Sequence, residues 1–96
     1  MRRVRVLVVG LGEVGRSLYD VAVDSGCCEV YGYDIDVSKT VHRLEDIVSP
    51  VDYLHIAIPY SGGFVEAVKS YIDAFKPRIT FIHSTVAPGT TRKVYS

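Results

Sequence analysis

An open, doubly wound α/β sheet of about five parallel strands is the fold predicted by this 96-residue sequence. Three observations lead there. Short runs of β-forming apolar residues alternate with stretches whose apolar positions recur at helical spacing, the pattern of βαβ units. Gly26, Pro50, Pro59 and Pro77 fall at the boundaries of those stretches, where chain breakers belong. The glycine string Gly10-Leu11-Gly12-Glu13-Val14-Gly15 stands where the first strand pattern gives way to the first helical one. Right-handed crossovers then predict the strand order 3-2-1-4-5.

The first strand is read over Arg3 to Val9, which alternates and then runs apolar into glycine, as a buried parallel strand entering a tight turn does. In the helix that follows, Val14, Leu18, Val21, Ala22 and Ser25 form the inner stripe and Arg16, Asp20 and Asp24 the outer one. Gly26 is its natural C-terminal cap. Glu29 to Ile35 is rich in β-formers and ends in the acidic pair Asp34 and Asp36, giving the second strand. Ser38 to Val48 is the least legible stretch, with a short third strand expected around Thr40 to His42 and one helical turn around Leu44 to Val48. After Pro50, Asp52 to Ile58 reads as a buried fourth strand ended by Pro59. Phe64, Val65, Val68, Tyr71, Ile72 and Phe75 form the stripe of a second helix, closed by Pro77, and Ile79 to His83 gives a fifth strand. The segment from Val86 to Ser96 reads as a loop leading into a helix cut short by the chain end.

With 48% hydrophobic and 23% charged residues, the composition is that of an ordinary globular domain rather than a disordered chain. A chain this short buries only about 60 to 65% of its unfolded surface, so modest stability is expected. Eleven basic residues balance eleven acidic ones, so no general field draws the protein to nucleic acid or anionic lipid. The longest apolar run, Val6 to Val9, is far below the roughly 20 residues of a spanning helix, and no signal-peptide pattern opens the chain. A cytoplasmic domain without membrane or nucleic-acid partners is therefore expected. Cys27 and Cys28, adjacent to each other, offer neither a disulfide framework nor metal-ligand spacing and read as packing residues.

A glycine-x-glycine-x-x-glycine string is weak by itself, and its context decides it. This one follows a strand, opens a helix and is trailed by Asp34, 19 residues after Gly15 and at the end of the next strand. That is the fingerprint of a Rossmann-type dinucleotide-binding domain. Gly10 permits the sharp turn, Gly12 lets the backbone approach a pyrophosphate, and Gly15 lets the helix pack closely. Leu11, Glu13 and Val14 complete a helix start whose free N–H groups and dipole favour an anion. Asp34, with Ile35 beside it, is placed to accept hydrogen bonds from the adenosine ribose and would repel a 2′-phosphate, so NAD is the expected cofactor. Lys39 is the counterweight, since its ammonium could reach toward a phosphate.

The glycine turn, Asp34 with Lys39 five residues on, and the string Ser84-Thr-Val-Ala-Pro-Gly-Thr-Thr91 together resemble the NAD-binding domain of the UDP-glucose/GDP-mannose dehydrogenase family. The family's run carries proline where this chain has Ala87, and often a glutamate where it has His83. The resemblance spans essentially the whole chain and implies cofactor contacts from Ser84 and Thr85, and from the fourth strand's end at Ile58, Pro59 and Tyr60. It also implies a central region and a substrate domain with a catalytic cysteine, to which nothing in these 96 residues corresponds. The same fold-level likeness extends to 6-phosphogluconate dehydrogenases.

No residue is assigned a catalytic role. His83 reads either as a proton relay facing the cofactor or as a sheet-edge residue bonded to backbone. His55 reads as a satisfied core histidine, His42 has no legible context, and the three histidines show no metal spacing. Gly62 and Gly63 either touch the cofactor or merely start the second helix. The chain is thus expected to be the cofactor half of a nucleotide-sugar dehydrogenase-like oxidoreductase, binding NAD without turnover and served by a separate substrate domain or subunit. A free-standing NAD-sensing module carries the same motif and is the alternative. An apolar flank left without cover favours a homodimer in either case.

Overall fold

A computed structural model of the chain describes residues 3–26, 28–58 and 62–83. Strands β1 (Arg5–Val9), β2 (Glu29–Tyr33), β3 (Tyr53–Ile56) and β4 (Ile79–Ile82) are all parallel and lie in the order β2-β1-β3-β4. Helix α1 (Glu13–Ser25) connects β1 to β2, and α2 (Phe64–Phe75) lies between β3 and β4 in sequence, with a single 3-10 turn at Leu44–Asp46.

The central strand β1 is paired on both sides, and Val6 through Val9 are all buried. Register separates its side chains into two layers. Leu7 stands opposite Tyr31 and Leu54, and Val9 opposite Tyr33 and Ile56. This face meets Phe64, Val68 and Phe75 of α2, with Ile47 and Val51 filling in beside the helix. Full burial of a side chain such as Leu54 or Val68 stabilises by roughly 1.5–3 kcal/mol. On the opposite face, Val8 lies between Gly32 and His55. Helix α1 packs there against β1 and β2, and a Cβ on Gly32 would come 2.9 Å from the Tyr19 ring. The two helices therefore occupy opposite faces of the sheet.

Both helices end by turning left-handed. Gly26 (φ 67°) returns its N–H to the Val23 carbonyl, as expected of a glycine cap. Lys76 (φ 49°) does the same toward Ile72 just before Pro77, which cannot continue a helix.

Three expectations are corrected. Thr40 to His42 forms no strand, so among the described residues the sheet has four strands, and the outer strand of the expected five-stranded 3-2-1-4-5 order is missing. Side chains serve the edge of β2 instead. The Gly32 N–H donates to His42 Nδ1 (3.1 Å) and the His42 N–H to the Gly32 carbonyl (2.8 Å), while Thr40 Oγ1 accepts the Asp34 N–H (2.9 Å) and donates to the His42 carbonyl. The four strands that form lie within the expected ranges and are shorter. The inner stripe of α1 is also not fully inner. Val14 and Val21 are 55% and 70% exposed, because the helix sits over β1 and β2 and, among the described residues, no element packs over its flank toward β3. On the β3–β4 half of the sheet, Tyr53, Ile79 and Phe81 are exposed as well. Finally, His55 is only half-buried and bonds another histidine rather than sitting satisfied in the core.

The polar end of the sheet is the N-terminal one. Arg5 Nε donates to Glu29 Oε2 (2.9 Å), which also accepts the Tyr31 hydroxyl (2.7 Å). Those two bonds, the Tyr31 hydroxyl first, hold the Glu29 carboxyl below its usual value. Asp52 is buried just before β3. Cys28 immediately precedes β2 at this same end, far from where the strands deliver their carboxyl termini.

Candidate functional site

At the C-terminal edge of the sheet the chain leaves β1 toward β2 and leaves β3 toward β4, so a crevice opens between the two departures. Ligands of open parallel sheets bind at such a divergence. The glycine turn sits there.

Gly10 adopts φ 93° and donates its N–H to the Tyr33 carbonyl (2.8 Å). A Cβ at this position would lie 2.8 Å from the Ala57 carbonyl and 2.9 Å from Ile58, so both conformation and space demand glycine. Gly15 is fully packed, since its Cβ would fall on the Gly10 carbonyl oxygen and within 3.3 Å of Ala57. The closeness required of Gly15 is thus to the turn itself as much as to the sheet. Gly12 is the opposite case. It is the N-cap of α1, with ordinary extended backbone, and nothing lies within 4 Å of where its Cβ would be. No side chain caps the helix at this point, and the first N–H groups of a helix have no partner within it. Glu13 and Val14 are exposed around the opening while Leu11 is buried beneath it.

Asp34 is drawn against this turn. Its Oδ2 accepts the Leu11 N–H at 2.7 Å and its Oδ1 accepts the Asp36 N–H at 2.8 Å. A carboxylate offers about four acceptor positions, and these two bonds leave one on each oxygen. The Asp34 backbone is fixed in turn by Thr40, a positioning residue whose hydroxyl accepts the Asp34 N–H. Ile35, next to it, is 85% exposed, an apolar side chain held out in solvent beside the carboxylate. Lys39 does not join Asp34. Its charge acts on Asp36, whose carboxyl is held low first by the Ser38 hydroxyl, then by the Ser38 N–H and also by Lys39.

The structure therefore brings together Gly10, Leu11, Gly12, Glu13, Val14, Gly15, Asp34 and Ile58, leaves Ile35 at the rim, and sets Lys39 aside. Pro59, Tyr60, Ser84 and Thr85 lie outside the described residues. Gly62 and Gly63 start α2, Gly63 as its left-handed N-cap.

A second polar constellation was not legible in the sequence. His55 Nδ1 and His83 Nε2 are 2.8 Å apart on adjacent strands, with ring centroids 5.1 Å apart and planes 17° apart. Each nitrogen lies within a bond length of its ring centre, so these distances are met only when the two nitrogens point at each other. The rings are edge to edge and share an N–H···N bond. Phe81 lies parallel to the His55 ring at 4.9 Å. Burial first, and the neighbouring His83 second, hold the His55 pKa below its ordinary value.

A pH dependence follows. A histidine whose folded pKa is lowered is more readily protonated when unfolded, so its contribution is present above the unfolded value of 6.5 and is lost as pH falls through the folded one. Urea midpoints of the wild-type chain should fall between about pH 7.5 and pH 5 more steeply than those of His55→Asn. Equal slopes would remove His55 from the acid response.

Among the described residues no helix is long and apolar enough to cross a membrane. No family model, no curated protein and no solved structure matches this chain.

Proposed function

We propose that this chain is a Rossmann-type domain that binds a dinucleotide, NAD in preference to NADP, within an oxidoreductase of the nucleotide-sugar dehydrogenase kind. The observation that carries the reading is the 2.7 Å bond from the Leu11 N–H to Asp34, which joins the acidic end of β2 to the uncapped start of α1. A dinucleotide needs those two features side by side, an anion cradle for its pyrophosphate and an acceptor for its ribose diol.

The chain's residues fit the group. The empty space over Gly12 admits a phosphate where a Cβ would intrude, and the remaining acceptor positions of Asp34 suit two hydroxyl donors. A 2′-phosphate on the ribose would meet the same carboxylate. Two unit charges about 4 Å apart repel by about 4 kcal/mol at an effective dielectric near 20, an upper-range figure that still disfavours NADP. Ile35 offers the adenine an apolar surface. When bound, NAD would supply hydride transfer, while these residues bind and orient it. The substrate wall would come from another domain or subunit.

Two variants separate binding from folding. Asp34→Ala should weaken NAD about tenfold or more, the loss of charge-assisted hydrogen bonds worth about 1.5–3 kcal/mol, and should narrow the gap between NAD and NADP. Asp34→Asn keeps an acceptor for Leu11 and should mainly lose the discrimination. Titration calorimetry with both cofactors reads each effect. NAD affinity unchanged in Asp34→Ala, or undetectable in the folded wild type, would sink the proposal.

A further inference from the structure

We infer that His55 and His83 form a two-histidine site for a divalent transition-metal ion of the zinc, copper or nickel class, on the half of the sheet that α1 leaves uncovered. Imidazole nitrogen is the ligand these ions favour. The two nitrogens already converge to 2.8 Å, and the approach of the two rings is enforced by adjacent strands, since His55 is level with Phe81 and His83 lies two residues further along. Zinc–nitrogen bonds of about 2.0–2.1 Å at a tetrahedral angle set the nitrogens roughly 3.3 Å apart. Because the nitrogens now point straight at each other, placing both lone pairs on one ion takes a turn of one ring by about 70° and a shift of its nitrogen by roughly 2 Å, beyond the small widening of the gap. His55 is steadied by its stacking on Phe81, whereas His83 stands exposed just past the end of β4, so the movement falls to His83.

In the free protein one proton lies between the two nitrogens. On metal binding that proton leaves the shared position and its ring takes one up at the far nitrogen, so both lone pairs turn to the ion and the neutral pair releases no net proton. No group of three or more histidine, cysteine or carboxylate side chains is gathered for a metal among the described residues. Water completes the coordination, and the ion is exchangeable rather than structural.

Zinc titration by calorimetry and Cu²⁺ electron paramagnetic resonance on the full chain test this. Wild type should bind one ion, with coupling to two nitrogens in the copper spectrum. His83→Gln, an exposed position whose loss should not unfold the chain, should weaken zinc at least tenfold and reduce the coupling to one nitrogen. His42→Gln and Asp34→Ala should bind as wild type does, which keeps this site distinct from the glycine turn. Absence of saturable binding by wild type, a His83→Gln affinity within tenfold of wild type, or an equal loss in His42→Gln overturns the assignment.

Discussion

Gly15→Ala should destabilise the domain by about 3 kcal/mol or more, a large share of the roughly 5–10 kcal/mol that holds a domain of this size together. The added methyl would fall on the Gly10 carbonyl oxygen with Ala57 immediately behind it. Relief by moving Gly10 is closed off, because Gly10 is itself pressed against Ala57 and Ile58 and tied to Tyr33. Relief by lifting α1 would strip the helix from β1 and β2 and open the packing of Tyr19 on Gly32. Overpacking alone costs about 1–3 kcal/mol, and here the obstacle is backbone, which yields less than a side chain does. Gly12→Ala is the internal comparison. Nothing surrounds its Cβ position and its φ of −74° suits alanine, so it should cost no more than about 1 kcal/mol, the difference between a glycine and an alanine N-cap. Urea midpoints with unchanged slopes would read both variants. Near-equal losses would mean that the turn yields more readily than its contacts imply.

The contrast between these glycines explains what the sequence could and could not disclose. The string, its helix and the acid at the next strand's end are local signals, each fixed by residues a few positions apart, and they came out where expected. The cap at Gly26 and the stop before Pro77 are of the same kind. What stayed hidden depends on partners distant in the chain. Thr40 to His42 has a plausible β pattern, yet the N–H groups of Gly32 and Asp34 are met by an imidazole nitrogen and a threonine hydroxyl, which propensity does not register. The exposure of Val14 and Val21 depends on where α1 sits across the sheet, not on helical spacing. His55 and His83 are 28 residues apart and meet only because β3 and β4 pair in one register. The parity of that register was the available signal, as two histidines on the same face of neighbouring strands must lie close.

Asp52 belongs to the same class, for its position at the head of an apolar strand gave no sign of its work. Asp52→Ala should cost about 1–3 kcal/mol, while Asp52→Asn should recover most of that. The carboxylate accepts the Arg5 N–H at 2.8 Å, and the Asp52 N–H returns a bond to the Arg5 carbonyl at 2.9 Å, so the pair locks the start of β1 to the start of β3. The Asp52 carbonyl accepts from Arg78 and Ile79, which carries the same anchor on to β4. Alanine keeps the backbone bonds and deletes the side-chain acceptor, leaving the Arg5 N–H partly buried with its partner gone. Asparagine supplies a carbonyl oxygen of nearly the same reach. If the charge rather than the acceptor mattered, asparagine would fall as far as alanine, and a urea series on the three proteins decides between them. Amide exchange at Arg5 should quicken in the alanine variant alone. Because Asp52 lies at the end of the sheet opposite the glycine turn, folded Asp52→Ala should keep the proposed NAD binding at wild-type strength, which separates loss of the scaffold from loss of the site.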